Sequence, residues 1–504
     1  MATSASTTAV DLGTLESHLW EAANILRGPV DASDFKTFIF PLLFFKRISD
    51  VYDEEYEQAL KESGGDVAYA QFAENHRFQI PEGCRWQDVR SKTTNVGQAI
   101  QRSMREIEMA NPNTLYSIFG DTPWSNKDRL SDALLRDLVE HFSRVSLANR
   151  DIDDDILGQA YEYLIKKFAD QTNRKAGEFY TPRSVVRLMV NILDPKEGET
   201  IYDPTCGTAG MLLGAIQHVK EAGGNVRKLW GRLYGQEKNL TTSAIARINL
   251  FLHGIEDFKI VRGDTLSAPA YSDGDRLRQF DVCLANPPYS IKQWDRTAWS
   301  SDRFGRNSLG TPPQGRADYA FFGHILASLK PKTGRCAILF PHGVLFRDEE
   351  QEMRAKLVDT DQIECVLGLG PNLFYNSPME ACVVVCRTAK TKARRNRILF
   401  INAVNEVTRE RAQSFLEEEH IQKILKTYQQ CEDVEGFARV VTLDEIRANK
   451  ANLSIPLYVR PKADDAAGTA NGKPLPKVIE EWQASSKALR SSMDALLAAL
   501  EQPR

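Results

Sequence analysis

The tetrapeptide Asn286-Pro287-Pro288-Tyr289 contains residue types that could act on a planar amino group. The side-chain oxygen of Asn286 and the carbonyl oxygen of Pro287 can each accept one hydrogen of an –NH2 group. Holding both hydrogens pushes the nitrogen toward tetrahedral geometry and aims its lone pair at a methyl donor. The prolines, Pro287 and Pro288, fix the backbone, and Tyr289 offers a flat face to a base turned out of its helix. These four residues therefore predict a catalytic site for methylation of an amino group.

A second motif lies upstream, in the segment ETIYDPTCGTAGMLLGAIQ. A strand that ends at Tyr202 is followed by a tight loop with Asp203, Gly207 and Gly210, and then at once by a helix. Glycines let the backbone approach a ligand closely, and a helix N-terminus offers free N–H groups to a polar ligand. The loop lacks one glycine of the dinucleotide fingerprint. It therefore predicts a Rossmann-type site for a nucleotide-like ligand.

Acidic residues end the next two expected strands. Glu237 stands where a carboxylate can accept both hydroxyls of a ribose, and Asp264 could accept a hydrogen bond from an adenine amino group. A ligand with ribose and adenine but no pyrophosphate fits this set of residues. We therefore predict that the cofactor is S-adenosylmethionine.

A basic and aromatic segment, residues 291–316, follows the tetrapeptide. Its basic residues are Lys292, Arg296, Arg303, Arg306 and Arg316, and its large aromatic residues are Trp294, Trp299 and Phe304. This composition beside a reactive sheet edge is typical of nucleic-acid contact. A flexible surface loop without such a role is the alternative.

These residues need a scaffold that brings strand ends together. Between residues 198 and 402, short apolar runs alternate with helical patterns, which predicts a mostly parallel sheet with helices on both faces. The expected strands are Thr200–Tyr202, Leu233–Gly235, Lys259–Val261, Asp281–Leu284, Arg335–Phe340, Ile363–Leu369, Ala381–Cys386 and Ile398–Ile401. Because parallel strands share the edge at which they end, the acids and the tetrapeptide should lie close together.

The pattern divides the chain into four parts. We expect a helical N-terminal domain at 1–150, an α/β domain at 151–460, a linker at 461–475 and a C-terminal helix at 476–504. One stripe of that last helix is apolar, with Trp482, Leu489, Met493, Leu496 and Leu500. The spacing suits a coiled-coil seam with a partner, and packing against the same chain is the alternative.

Composition limits how the protein could hold a nucleic acid. The 504 residues include 64 basic and 68 acidic side chains, for a net charge of -4. A chain that binds DNA through its overall field would be basic, so a local patch or a partner is required. Neither the eight cysteines nor the eight histidines have metal-ligand spacing, and no signal peptide or apolar span is visible. We expect a cytoplasmic protein that needs no metal and no membrane.

The motifs together resemble the modification (methyltransferase) subunit of type I restriction–modification systems, which methylates N6 of adenine in DNA. The segments LWEAANILRG, FPLLFFKRISDVYDEE, GEFYTPRSVVRLMV, DPTCGTAGML, ANPPY and NLSIPLYV carry this resemblance over nearly the whole chain. The motif order is similar to that of the gamma class of amino-methyltransferases. The resemblance implies a Rossmann-like, S-adenosylmethionine-dependent domain between a helical N-terminal domain and a C-terminal helix.

The resemblance also implies roles for single residues. Those that would border the cofactor are Glu178, Phe179, Tyr180, Thr181, Pro182 and Arg183. Thr208, Ala209 and Gly210 would lie against its methionine portion, and Asn286, Pro287 and Tyr289 would hold the target adenine. Phe374 would provide a second stacking face. Within the basic segment, where the composition and not the resemblance indicates DNA contact, the expected contacts are Arg296, Arg303 and Arg306.

Such a subunit works as two copies around one specificity subunit, which reads the double-stranded DNA sequence, and a restriction subunit can join them. The alternatives are a methyltransferase that acts on a protein glutamine or an RNA base, a target at N4 of cytosine, a methyltransferase from another phage-defence system, and a non-catalytic scaffold that binds the cofactor. The intact Asn286 and Tyr289 count against the scaffold.

Overall fold

The structure is a computed structural model that describes residues 11–171, 181–374, 380–410, 413–460, 479–480 and 482–487. Glu178, Phe179 and Tyr180 lie outside the described residues, as do the predicted linker and most of the segment predicted to form the C-terminal helix. The short described pieces beyond residue 478 are helical, and Trp482 is 68% exposed there. None of the helices in the described ranges is long and apolar enough to span a membrane.

The N-terminal part is helical, as the sequence predicts. Its helices are α1 (Leu12–Ile25), α2 (Phe35–Glu62), α3 (Val67–Ala70), α4 (Trp86–Arg90), α5 (Val96–Ala110), α6 (Asp132–Phe142) and α7 (Asp154–Gln171). The apolar run that opens α2 is buried on every side, from Phe38 to Phe45. A helix that is apolar all round lies at the centre of its domain, and α2 does so here.

The helical core continues into the following domain. It includes Leu157 and Leu164 of α7, together with Ile248 from a helix that follows the second strand of the sheet. Arg47 of α2 is buried and donates to the side chains of Asn149 (2.6 Å) and Asp154 (2.7 Å). The helical part and the α/β part therefore pack as neighbours over one continuous apolar core.

Within the described residues, the α/β part has a large sheet and two small antiparallel strand pairs. The strands are β1 (Ile201–Asp203), β2 (Leu233–Glu237), β3 (Lys259–Arg262), β4 (Ser272–Asp273), β5 (Arg276–Leu277), β6 (Val282–Ala285), β7 (Arg335–Pro341), β8 (Ile363–Leu369), β9 (Ala381–Arg387), β10 (Arg397–Ala403), β11 (Thr408–Glu410), β12 (Gln413–Phe415) and β13 (Ala438–Thr442). Among the described residues, the large sheet has the order β13-β10-β8-β9-β7-β6-β1-β2-β3.

Most neighbours in this sheet are parallel, which confirms the predicted fold class. β3, β2, β1, β6 and β7 form one continuous parallel group. β9 is antiparallel to both β7 and β8, and β13 is antiparallel to β10. The sequence analysis located eight strands of the large sheet and missed β13, whose partly exposed residues lack a continuous apolar run.

Helices cover both faces of the sheet. They are α8 (Arg183–Leu193), α9 (Gly210–Glu221), α10 (Leu240–Leu252), α11 (Arg296–Ser300), α12 (Asp318–Ala327), α13 (Gln351–Asp359), α14 (Glu418–Gln430), α15 (Leu443–Ala448) and α16 (Ile455–Tyr458). α8, α9 and α14 share a core on one face, and α12, α13, α15 and α16 share a core on the other. The result is a three-layer α/β domain.

A buried carboxylate fixes the starts of three strands. Asp281, just before β6, accepts hydrogen bonds from the backbone and hydroxyl of Thr200 (3.0 and 2.8 Å), which precedes β1. It also accepts from Lys330 (2.6 Å) and Thr333 (3.0 Å), which precede β7. Burial alone would raise the pKa of Asp281, but these hydrogen bonds lower it to about 2. The ionised carboxylate therefore holds β1, β6 and β7 in register.

Replacing Asp281 by asparagine should destabilise the fold in a pH-dependent way. Because the pKa in the folded state lies below the ordinary value of 3.8, the carboxylate stabilises the fold above about pH 4 and loses this effect as pH falls toward 2. We expect Asp281→Asn to lower the free energy of unfolding by about 2 kcal/mol at pH 7, and by less at pH 3. Urea denaturation at the two pH values measures this difference.

Asp444→Asn is the matched control, because the Asp444 side chain is 92% exposed and pairs only across one helical turn with Arg447. Its free energy of unfolding should match the wild type at both pH values. An effect of Asp281→Asn that is the same at pH 3 and pH 7 would contradict the account of Asp281.

Candidate active site

The strand order brings the predicted site residues to one sheet edge. β6, β1, β2 and β3 are adjacent and parallel, so their carboxyl ends lie side by side. Asn286, Gly207 and Asp264 lie in the loops that leave β6, β1 and β3, and Glu237 is the last residue of β2. Neighbouring strands lie about 4.8 Å apart, so the tetrapeptide and the glycine loop follow directly adjacent positions.

The loop after β1 is shaped for close approach of a ligand. Gly207 has φ 51° and Ala209 has φ 68°, both in the left-handed region, and α9 begins immediately after them. A Cβ atom added at Gly207 or Gly210 would meet no atom within 4 Å, so open space lies over both residues. The Thr208 carbonyl is fixed by a hydrogen bond from Asn249 (2.9 Å). Asn249 thus fixes the backbone of the loop, while the space over its two glycines is open.

The two strand-end acids are already oriented by their surroundings. Glu237 accepts from the backbone N–H groups of Gly207 (3.1 Å) and Asn239 (2.8 Å), which places its carboxylate beside the glycine loop. Asp264 accepts from Leu266 N–H (3.0 Å) and from the ammonium group of Lys238 (2.8 Å). Both acids therefore lie at the edge where the sequence predicts them.

Asp203 is more deeply buried than Glu237 or Asp264, at 2% exposure. It accepts one hydrogen bond from the Thr205 N–H (3.0 Å). Burial raises the pKa of Asp203 to about 8, and the nearby Glu237 carboxylate also raises it, against that hydrogen bond. A cationic group placed here would favour the ionised form of Asp203.

The tetrapeptide forms a turn directly after β6. The Asn286 side-chain nitrogen donates to the Thr181 hydroxyl at 2.9 Å, and the Tyr289 hydroxyl donates to the Asn286 side-chain oxygen at 2.8 Å. These two bonds orient the amide so that its oxygen is the acceptor on the side of Tyr289. Pro287 is buried, and burial raises the pKa of Tyr289 well above its usual value. Tyr289 therefore acts as a neutral donor.

Residues 181–183, just before and at the start of α8, differ in whether they contact the candidate site. Thr181 contacts Asn286, Pro182 is the residue that precedes the first turn of α8, and Arg183 forms an ion pair with Glu162 of α7. The sequence motif predicts a cofactor border here. In the structure, Thr181 is the described residue of this group that touches the catalytic turn.

The basic segment 291–316 is an ordered structure with its own small core. Trp299 packs with Leu266 and Phe321, and Trp294 lies against this cluster. Arg296 and Arg303 are exposed, and Arg303 lies 3.9 Å from Asp275 in a loose ion pair. These two arginines are placed where a nucleic acid could reach them.

The prediction that Arg306 contacts DNA is wrong for this structure. Its guanidinium is buried, at 3% exposure, and pairs with the equally buried Asp302 at 2.6 Å. It also donates to the carbonyls of Thr265 and Leu266, both at 2.9 Å. Arg306 thus ties the basic segment to the backbone that follows Asp264.

The prediction of a second stacking face at Phe374 also needs correction. Phe374 is 1% exposed and belongs to the core that α8 and α9 share. A ring packed on all sides has no face to offer a base.

Three supporting residues were not found from the sequence. Asn249 fixes the Thr208 carbonyl, while Asp318 and Arg347 form a buried ion pair (3.0 Å) under the catalytic turn. In the sequence each has an ordinary helical or loop context. The contacts that reveal them join segments that are 28 or more residues apart along the chain.

Comparison with known proteins finds family matches over most of the chain. A family model described as N-6 DNA Methylase matches residues 152–466, and one described as HsdM N-terminal domain matches residues 15–142. A crystal structure of the type I restriction-modification system methyltransferase subunit from Streptococcus thermophilus is similar with a TM-score of 0.77. Its identity is 28%, over 89% of this chain and 100% of that chain.

Two relatives that match over most of their length are also methylase subunits of type I restriction enzymes. The methylase subunit of the type I restriction enzyme MjaVII from Methanocaldococcus jannaschii is 31% identical over 503 residues, which cover 95% of this chain and 82% of the relative. The MpnII methylase subunit from Mycoplasma pneumoniae is 27% identical, over 89% of this chain and 90% of the relative.

The fold and these matches define a Rossmann-like DNA methyltransferase. More particularly, the chain belongs to the family of methylase subunits of type I restriction enzymes, which confirms the resemblance seen in its motifs.

Removal of the Arg306 side chain should loosen the basic segment. Arg306→Ala leaves Asp302 buried without its partner, so we expect the free energy of unfolding to fall by about 3 kcal/mol or more. Limited proteolysis should then cleave within residues 291–316 before the rest of the domain. Arg303→Ala is the control: its side chain is 68% exposed, so stability should change by about 0.5 kcal/mol at most. Equal behaviour of the two variants would refute a structural role for Arg306.

Proposed function

We propose that this methylase subunit transfers a methyl group from S-adenosylmethionine to N6 of an adenine that has been turned out of double-stranded DNA. The observation that carries the proposal is the orientation of the Asn286 amide. Its nitrogen is engaged by Thr181, and its oxygen accepts from the Tyr289 hydroxyl. An entering –NH2 group would take the place of that hydroxyl as donor.

The catalytic turn provides the remaining contacts in this proposal. The Pro287 carbonyl would accept the second amino hydrogen, and the Tyr289 ring would move from Asn286 and stack on the base. With both hydrogens held, the nitrogen lone pair would point at the methyl group; the N–C bond would form as the bond between that carbon and the donor's sulfur breaks, and one amino proton would pass to water. The family to which the chain belongs favours DNA over a protein glutamine or an RNA base.

The residues of the edge fit S-adenosylmethionine. Open space lies over Gly207 and Gly210 at the start of α9. The acids Glu237, Asp264 and Asp203 lie around this open space. When bound, the cofactor supplies a methyl group on a cationic sulfur. Glu237 would accept the ribose hydroxyls, Asp264 the adenine amino group, and Asp203 would face the cationic end.

The proposed assembly is two copies of this chain with one specificity subunit, joined by a restriction subunit in the full complex and located in the cytoplasm. Membership of the type I family supports a complex with other subunits and DNA. A net charge of -4 further supports the reliance on a partner for DNA binding. The exposed Trp482 supports the C-terminal helix as a contact with that partner.

Substitution of Asn286 tests the chemistry. In cells that lack their own N6-adenine methylation, the wild-type chain expressed with its specificity subunit should produce N6-methyladenine, measured by nucleoside mass spectrometry. Asn286→Ala should reduce methyl transfer by about 100-fold or more, because an acceptor used in the transition state is gone, while cofactor affinity stays unchanged.

Expression of the chain without the specificity subunit is the control for partner dependence, and it should give no modified base. Near-normal methylation by Asn286→Ala would remove this residue from the mechanism. Modified cytosine instead of adenine would replace the proposed target, and unmodified DNA in every case would indicate another substrate.

Cofactor binding should depend on pH through Asp203. Its pKa of about 8 leaves the carboxyl mostly protonated at neutral pH, and pairing with the cofactor's ammonium group requires ionisation. Affinity should therefore rise from pH 6 to about pH 8, by at most about 10-fold per pH unit. Isothermal titration calorimetry measures the dissociation constant. Asp203→Asn should show only the dependence that comes from titration of the cofactor itself, and identical profiles would exclude Asp203 from this role.

A further inference from the structure

The catalytic turn ends in a backbone conformation that needs support. Ser290, directly after Tyr289, has φ 52°, in the left-handed region that side-chain-bearing residues rarely adopt. Its N–H donates to a carboxylate oxygen of Asp318 at 3.0 Å. Asp318 opens α12 and is 1% exposed. The bond therefore ties the end of the turn to a buried group on a helix of the sheet's covering layer.

Asp318 is itself fixed by an arginine. Both terminal nitrogens of Arg347 donate to its other carboxylate oxygen, at 3.0 and 3.1 Å. Arg347 also donates to the fully buried Glu350 at 3.2 Å. A buried carboxylate is stable as an ion only when it is paired and hydrogen-bonded. Arg347 meets that requirement and leaves one oxygen of Asp318 directed at Ser290.

Further hydrogen bonds connect Arg347 to the C-terminal part of the α/β domain. The Arg347 carbonyl accepts from the buried Arg354 at 2.6 Å, and Arg354 in turn donates to the Ala451 carbonyl at 3.2 Å. The catalytic turn is thus connected through side chains to the segment that precedes α16. Because two prolines limit the backbone between Asn286 and Ser290, fixing Ser290 also fixes the residues before it.

We propose that Asp318 is a positioning residue for methyl transfer: it holds the catalytic turn through the Ser290 N–H, and Arg347 holds the Asp318 carboxylate in the orientation that this bond needs. Asp318 touches neither the target nor the cofactor in this proposal, which rests on the proposed function of Asn286 and Tyr289. Its effect is to keep the backbone fixed while the Tyr289 ring leaves Asn286 for the base.

The test compares Asp318→Asn with Asp281→Asn in the complex with the specificity subunit. The two aspartates flank the same strand, β6, and each binds a basic side chain and a backbone N–H. An asparagine at 318 cannot accept from both Ser290 and Arg347. We expect kcat to fall by about 10- to 100-fold, with KM for S-adenosylmethionine and the DNA dissociation constant unchanged. Asp281→Asn should lower the melting temperature but leave kcat unchanged.

A spectroscopic measurement distinguishes positioning from general destabilisation. With 2-aminopurine in place of the target adenine, fluorescence reports unstacking of the base and its stacking on Tyr289. Asp318→Asn should alter this signal in bound DNA, and Asp281→Asn should not. Arg347→Lys keeps the positive charge but loses the two-pronged contact, so it should give an intermediate kcat. If Asp318→Asn does not fold, Arg347→Lys is the variant that tests the proposal.

The results distinguish the positioning role of Asp318 from the proposed function of the catalytic turn. Wild-type kcat and fluorescence in Asp318→Asn or, if that variant does not fold, in Arg347→Lys would overturn the positioning role while an inactive Asn286→Ala upholds the catalytic turn. Equal losses of kcat in Asp318→Asn and Asp281→Asn would also overturn it. An active Asn286→Ala would instead overturn the proposed function itself.

Discussion

The register of four parallel strands is the constraint on which the rest of the structure depends. Asp281 holds the starts of β1, β6 and β7 together through hydrogen bonds to Thr200, Lys330 and Thr333. With the starts aligned, the far ends of β1 and β6 also coincide, and the glycine loop and the catalytic turn emerge side by side. A slip by one residue would turn every side chain of a strand to the opposite face of the sheet, so the register set by the whole sheet decides where these loops emerge, and Asp281 adds to the stability of that register.

Buried ion pairs fix two of the loops at the sheet edge where the candidate active site lies. Asp302 pairs with Arg306 beneath the basic segment, and Asp318 pairs with Arg347 beneath the catalytic turn. An apolar side chain can fill space there, but it cannot direct a backbone N–H or carbonyl to a fixed point. Ion pairs of this kind add little to stability compared with apolar packing. Their use here fits a need for defined loop geometry.

The distribution of exposed charge agrees with a methylase that works within a larger complex. Several basic side chains near the site already have acidic partners in the same chain: Arg306 is buried with Asp302, and the half-buried Arg316 and the exposed Arg183 pair with Glu349 and Glu162. Arg296 and Arg303 remain exposed beside the edge. So few exposed basic side chains could neutralise only a few phosphates, and DNA affinity grows with the number of phosphates neutralised. This distribution of charge is consistent with a subunit that acts on DNA in a complex with other subunits.

The sequence by itself determined the fold class, the strand ends and the identity of the residues at the edge. These follow from local patterns: apolar runs mark β1, β2 and β6, glycines mark the loop, and the tetrapeptide is contiguous. The tertiary structure alone decided which polar residues are available. Arg303 and Arg306 look alike in sequence, yet one is exposed and the other is enclosed by Asp302 and the carbonyl of Thr265. Burial of a charge depends on segments far apart in the chain, and no local pattern records that.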